Sequence, residues 1–145
     1  MKEIFYLDKP VLPTIPVPHD FVIKEIRSDE ENLYFVFEDD ISYHDSAKEI
    51  RPNAGSLIIR FHLPDGLDDV GLYFRKRPGI LFHRSAVFVE TPQKKLYKTL
   101  VDLPKERLEY LYHNVGYRSV IVRLWSFCSI VLELDADYVE FEWIE

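Results

Sequence analysis

The sequence predicts a mainly β fold, an antiparallel sandwich or partly closed barrel of about eight to ten short strands, with one short α-helix at about 103–115. Three observations carry this. Aromatic side chains make up 14% of the 145 residues and glycines number only five, a composition that suits half-buried pleated surfaces better than flexible chain. Apolar residues recur in short period-two runs. Turn-forming clusters such as Pro52-Asn53-Ala54-Gly55, Pro64-Asp65-Gly66 and Pro78-Gly79 separate those runs.

The length fits one domain over residues 1–145, able to bury about 68–70% of the surface its unfolded form exposes. The apolar content is 47% and the charged content 30%, which is ordinary for a soluble globular protein. Cys128 is the only cysteine, so neither an internal disulfide framework nor a multi-cysteine metal site is expected. Few apolar residues follow Met1-Lys2-Glu3 before Asp8, too few for a secretory leader, and no run approaches the ~18 apolar residues of a membrane span. A cytoplasmic, membrane-free protein is the expectation.

Taken in order, Glu3–Leu7 reads as a strand. Residues 9–20 follow as a strap, where Pro10, Pro13, Pro16 and Pro18 remove backbone donors and force an extended path. A PxxP ligand would look similar, but Val11, Leu12, Ile15 and Val17 favour burial across a sheet edge. Phe21–Arg27 and Leu33–Glu38 flank Ser28-Asp29-Glu30-Glu31-Asn32 as a hairpin. A loop with at most a short helix at Ser46–Ile50 leads to the strand Ser56–Leu63, whose expected antiparallel partner is Val70–Arg75. Ile80–Phe82 and Ala86–Glu90 come next, and alternation makes Lys94–Val101 a further strand. The helix is expected after Asp102 and Pro104, with Leu108, Leu111, Tyr112 and Val115 on one face and Gly116 as its stop.

Tyr117–Glu145 is the densest apolar stretch. Even positions from Val120 to Leu134 form its inner face, and in the last strand the odd positions Val139, Phe141 and Trp143 do so. A hairpin between the two would need an even loop around Asp135–Asp137, setting Leu132 opposite Val139 and Ile130 opposite Phe141. One unbroken strand over Tyr117–Leu134 would reach about 60 Å, so the chain must bend, bulge or turn at Trp125-Ser126-Phe127.

Charge is uneven around a net value of −7. Residues 1–50 carry 12 acidic and 5 basic side chains, 51–100 carry 4 and 9, and 101–145 carry 9 and 4. Acidic ends disfavour nucleic acid and anionic membranes and speed encounter with a basic protein. Arg75, Lys76 and Arg77 precede a turn, and with Lys94, Lys95 and Lys98 they read as a solvated surface rather than a phosphate track.

The five histidines match no HxH or HExxH pattern, so no metal or cofactor is expected. Glu38, Asp39, Asp40, His44 and Asp45 would be the ion-holding group if that loop closed on itself, but their spacing is not that of a calcium loop. Candidate binding residues are Asp29, Glu30, Glu31, Asp39, Asp40, Tyr138, Glu140 and Glu142. Arg60 and His62, two apart on one strand, with His83 and Arg84 if those lie nearby, are the candidate pocket.

The pattern favours a small acidic binding or inhibitory protein, immunity-like, which neutralises a basic protein partner through an acidic aromatic surface. Two alternatives stay open. One is a small-ligand-binding β-barrel; the other is a hydrolase-type enzyme using the acidic–histidine loop.

Overall fold

A computed structural model describes residues 1–76 and 87–145. It contains ten strands: β1 (Lys2–Tyr6), β2 (Val22–Ser28), β3 (Asn32–Phe37), β4 (Ser56–His62), β5 (Val70–Lys76), β6 (Val87–Glu90), β7 (Leu108–Gly116), β8 (Ser119–Trp125), β9 (Ser129–Leu134) and β10 (Tyr138–Ile144). They make one open sheet in the order β1-β10-β4-β3-β2-β7-β8-β9-β5-β6, and every pairing is antiparallel. Mainly β, with about ten short strands, is what the sequence predicts. No helix of the described chain is long and apolar enough to cross a membrane.

The sheet is folded on itself. Laid flat, β1 would lie five or six strand spacings from the β7–β8 turn, roughly 24–29 Å. Instead the Leu7 carbonyl, just after β1, accepts a hydrogen bond from Arg118 N–H in that turn at 2.9 Å. Two five-stranded halves, β1-β10-β4-β3-β2 and β7-β8-β9-β5-β6, therefore face each other over one core. Phe35, Phe61 and Phe141 from the first half join Tyr110, Val122, Leu132 and Leu72 from the second in a single buried cluster. The seam between halves is short: β2 meets β7 only through Val22↔Glu109 and Ile23↔Leu108.

The main helix lies earlier than the sequence pattern suggests. α1 is the short Asp45–Ile50 segment, and α2 spans Gln93–Asp102, followed by a 3-10 turn at Leu103–Lys105. Leu96, Leu100 and Leu103 are buried, spaced one turn apart as a single helical face. They pack beside β2, next to the short seam. Residues 108–116, expected as helix, are strand β7. Its register shifts between Tyr110 and Tyr112, a bulge that moves the inward phase from Leu108 and Tyr110 to His113 and Val115. That mixture of two- and three-residue spacings imitates helical periodicity.

Two expected pairings are also replaced. β4 lies between β10 and β3, while β5 lies between β9 and β6, so Pro64–Asp69 crosses between halves instead of closing a hairpin. Nor do β9 and β10 pair. Asp135 N–H donates to Asp69 C=O at 3.0 Å, Ala136 N–H to Arg118 C=O at 3.1 Å and Asp137 N–H to His62 C=O at 3.2 Å. These bonds carry the chain across to the first half. The inner faces stand as expected: Val120, Val122, Leu124, Ile130, Leu132 and Leu134 are buried, as are Val139, Phe141 and Trp143. The chain does turn near Trp125, where β8 and β9 form a hairpin with Trp125 opposite Ser129.

The proline-rich strap runs along the open side of β7. Asp20 N–H donates to Tyr110 C=O and Tyr110 N–H to Phe21 C=O, at 2.8 and 2.9 Å. His113 Nε2–H donates to the Ile15 carbonyl at 3.1 Å, which leaves Nδ1 to accept from the Tyr110 hydroxyl at 2.6 Å. Burial lowers the His113 pKa, partly opposed by the Ile15 carbonyl.

Candidate functional site

The outer face of the first half is built of registered rows. Antiparallel partners share a side of the sheet, so Tyr6, Tyr138, His62 and Asn32 form one row across β1, β10, β4 and β3. The next row is Ile4, Glu140, Arg60, Tyr34 and Arg27. A third holds Lys2, Glu142, Ile58 and Val36. Arg60 and Glu140, two positions the sequence singled out separately, are thus direct cross-strand neighbours.

The middle row is electrically closed. Arg60 Nη2 donates to Glu140 Oε2 at 3.0 Å, and its guanidinium lies 5.4 Å from the Tyr138 ring centroid. Burial works against the Arg60 charge, and the Glu140 carboxylate outweighs it, so the Arg60 pKa is raised. Glu140 is only 8% exposed, and Lys2 reaches both Glu140 and Glu142 at 3.5 and 3.7 Å. These carboxylates are largely committed to internal partners.

The first row is more open. The Tyr138 ring stacks on His62 with centroids 4.6 Å apart and planes 5° from parallel, and Tyr6, half exposed, lies 6.0 Å from Tyr138 on the other side. His62 Nδ1–H donates to Asp137 Oδ1 at 2.5 Å, while Nε2 faces Glu31 Oε2 at 3.6 Å. The result is an aromatic step edged by carboxylates.

This step opens onto an acidic pole where four connections meet. The β2–β3 turn brings Asp29, Glu30 and Glu31; the β4–β5 crossover brings Asp65, Asp68 and Asp69; the β9–β10 crossover brings Asp135 and Asp137; and the β7–β8 turn brings Arg118. Backbone bonds lock these connections together. Leu63 N–H donates to Glu31 C=O at 2.7 Å, and Leu7 N–H to Asp137 C=O at 2.8 Å. Gly66 sits at φ +61°, where a Cβ would come 2.6 Å from the Glu30 carbonyl oxygen, so only glycine fits that approach without strain.

Two carboxyls there are perturbed in opposite senses. Burial works to raise the Asp29 pKa, but hydrogen bonds from Glu31 N–H, Asn32 and the Tyr34 hydroxyl outweigh it and leave it lowered. Asp69 is raised, first by burial and then by repulsion from Asp65, Asp135 and Asp68, despite the Asp65 N–H it accepts at 2.7 Å. A cavity of about 140 Å³ lined by Pro64, Asp65, Asp69, Arg118, Asp135, Ala136 and Asp137 opens here.

The remaining candidates lie elsewhere. Asp39 pairs with Lys24 and Asp40 accepts from Ser42, both at the end of β3 away from the pole. Nearby, Glu38 accepts from His44 Nε2–H at 2.6 Å and from the Tyr43 hydroxyl at 2.7 Å, with His44 stacked on Phe21. The loop therefore closes on hydrogen bonds. Among the described residues no group of three or more His, Cys, Asp or Glu side chains is placed to hold a metal ion. His83 and Arg84 lie outside the described residues.

Of the candidate binding residues read from the sequence, Asp29, Glu30, Glu31 and Tyr138 lie at this end, whereas Asp65, Asp68, Asp69, Asp135, Asp137 and Tyr6 were not among them. The five aspartates carried the signal of acidic residues in turns; Tyr6 carried none beyond its place in a short strand. No family model, no curated protein and no solved structure matches the chain.

Proposed function

We propose that this chain is a small acidic binding or inhibitory protein, of the immunity type, that neutralises a basic protein partner at the acidic pole and its aromatic step. The observation that carries the reading is the Tyr6–Tyr138–His62 row bordered by Asp137 and Glu31 and continuous with the carboxylate-lined cavity. Aromatic anchors surrounded by charge are the usual make-up of a protein-binding centre, and the carboxylates steer a basic surface toward it. The cavity takes a single inserted side chain, because small-molecule pockets start near ~300 Å³. A guanidinium or ammonium suits its four carboxylates. Core side chains occupy the inward faces of both halves, which favours the outer pole over an interior ligand site.

A pull-down from the source cell tests this, comparing the wild-type chain with Asp65→Lys/Asp135→Lys and with Tyr138→Ala. A basic protein retained by the wild type, lost with both variants and released by raised salt is the expected result. Retention that the variants leave unchanged, or retention of acidic proteins only, overturns it.

A further inference from the structure

The opposite half ends in an edge of different character, and its chemistry goes beyond the partner site above. Among the described residues β6 is the outermost strand, hydrogen-bonded on one side to β5 through Tyr73↔Glu90, Phe74↔Val89, Arg75↔Phe88 and Lys76↔Val87. Val87, Phe88 and Val89 are 53%, 45% and 41% exposed. The strand is short and carries one charge, Glu90, but holds no proline, no lysine and no bulge, three of the devices that keep an edge from pairing. At the other margin of the sheet, β1 carries Lys2 and Glu3, and Glu3 is ion-paired to Arg51 beside α1.

The backbone phase of β6 is readable. Thr91 N–H donates inward to Leu72 C=O at 2.8 Å. Strand alternation then turns Val87 and Val89 toward β5, leaving Phe88 and Glu90 to present N–H and C=O at the open margin.

We propose that β6 pairs antiparallel with β6 of a second copy of this chain about a two-fold axis at Val89. A two-fold perpendicular to the sheet keeps each face on its own side, so residues of like parity must oppose one another. With Val89 opposite its symmetry mate, Phe88 of each copy lies opposite Glu90 of the other, and these outward-facing residues exchange their N–H···O bonds. One face then reads Phe74, Val89, Val89, Phe74 across the dyad, entirely apolar. The other reads Arg75, Phe88, Glu90, Tyr73, so each Glu90 carboxylate lies two strand spacings, about 9–10 Å along the row, from an Arg75 of the partner copy. That separation is within the combined reach of the two side chains across the Phe88 ring, and it occurs twice by symmetry. The edge is complementary to itself in shape, hydrogen bonding and charge, which is what selects a second copy over an unrelated strand.

A four-residue interface gives a weak, reversible dimer, with Kd on the order of 10–100 µM. Sedimentation equilibrium of the full chain across that range is expected to show monomer and dimer. Val89→Lys, which sets two ammonium groups face to face at the dyad, is expected to leave only monomer while circular dichroism stays that of the wild type. Glu90→Arg is expected to weaken the dimer on the order of ten-fold, and Arg75→Glu/Glu90→Arg to restore it to within about two-fold. A chain that remains monomeric to about 1 mM overturns the proposal. So does a dimer that Val89→Lys leaves intact, or a Glu90→Arg loss that the double variant fails to recover. Pull-down of a basic partner reads the acidic pole and is independent of these outcomes.

Discussion

The two halves of the sheet share a core but treat their outer surfaces in opposite ways. In the first half, Arg60 is bonded to Glu140 and laid over Tyr138, and in the row above it His62 stacks on Tyr138 with Tyr6 tilted beside it. In the second, Arg123 lies 5.5 Å over the Tyr112 ring with no carboxylate paired to it among the described residues, and Trp125, Tyr112 and Phe88 stand more than two-fifths exposed. A wet β-face can thus be closed by cross-strand partners or left open for contact. Strand parity produces both; the identity of the neighbour decides which.

The largest expected effect tests whether the halves stand or fall together. Phe35 is fully buried against Phe61 and Tyr110, at 5.2 and 6.3 Å between ring centroids. Phe35→Ala is expected to cost about 3–5 kcal/mol. Urea unfolding followed by tryptophan fluorescence and by circular dichroism should still give coincident transitions, and separated ones would mean that each half has a core of its own.

Next in size is Gly66→Ala, expected to cost about 1–3 kcal/mol because φ is positive and the new methyl meets the Glu30 carbonyl. Amide exchange should rise at Leu63, whose N–H is held by Glu31 C=O. A change confined to global stability would show that the pole's loops are not locked together there.

Arg60→Ala against Arg123→Ala sharpens the contrast directly. Removing Arg60 leaves a nearly buried Glu140 carboxylate with only the longer Lys2 contact at 3.5 Å and should cost about 1–2 kcal/mol, discounted for the partial exposure of the guanidinium. Removing Arg123 forfeits a contact over an aromatic ring, at about 0.5–1 kcal/mol. Equal losses in chemical denaturation would erase the distinction between the faces.

Asp69→Asn should have the smallest effect, and its sign is opposite. A carboxyl with a raised folded-state pKa makes ionisation unfavourable to the fold, so stability is lost as pH rises through that pKa. The amide removes this penalty while its oxygen can still accept the Asp65 N–H. At pH 7 the variant should gain less than about 0.5 kcal/mol, and the gain should vanish below about pH 3.8, where the unfolded carboxyl is also protonated. Thermal melts at both pH values check it, and a loss at pH 7 would contradict the repulsion at the pole.

Most strands were legible because side-chain alternation is local. Val120 through Leu134 and Val139 through Trp143 announce their inward faces residue by residue. Pairing was not legible for Pro64–Asp69 or Asp135–Asp137, because a short polar connection looks the same whether it closes a hairpin or crosses between halves. The single bulge in β7 was enough to disguise a strand as a helix, while in α2 the exposed Tyr97 and Val101 obscured the Leu96–Leu100–Leu103 stripe. The pole suffered from the same blindness: its carboxylates come from three separated turns, and only topology says that these share an end.

The sheet order places the tenth strand between the first and the fourth. Arg60 and Glu140 meet across 80 residues of chain, and both long margins of β10 are filled by strands made far earlier. During synthesis, β1 and β4 must wait with unpaired backbone until residues 138–144 emerge and insert. Closure of the first half is therefore a late, long-range event, of the kind that makes folding slow. Until then the facing margins of β1 and β4 are open to mispairing.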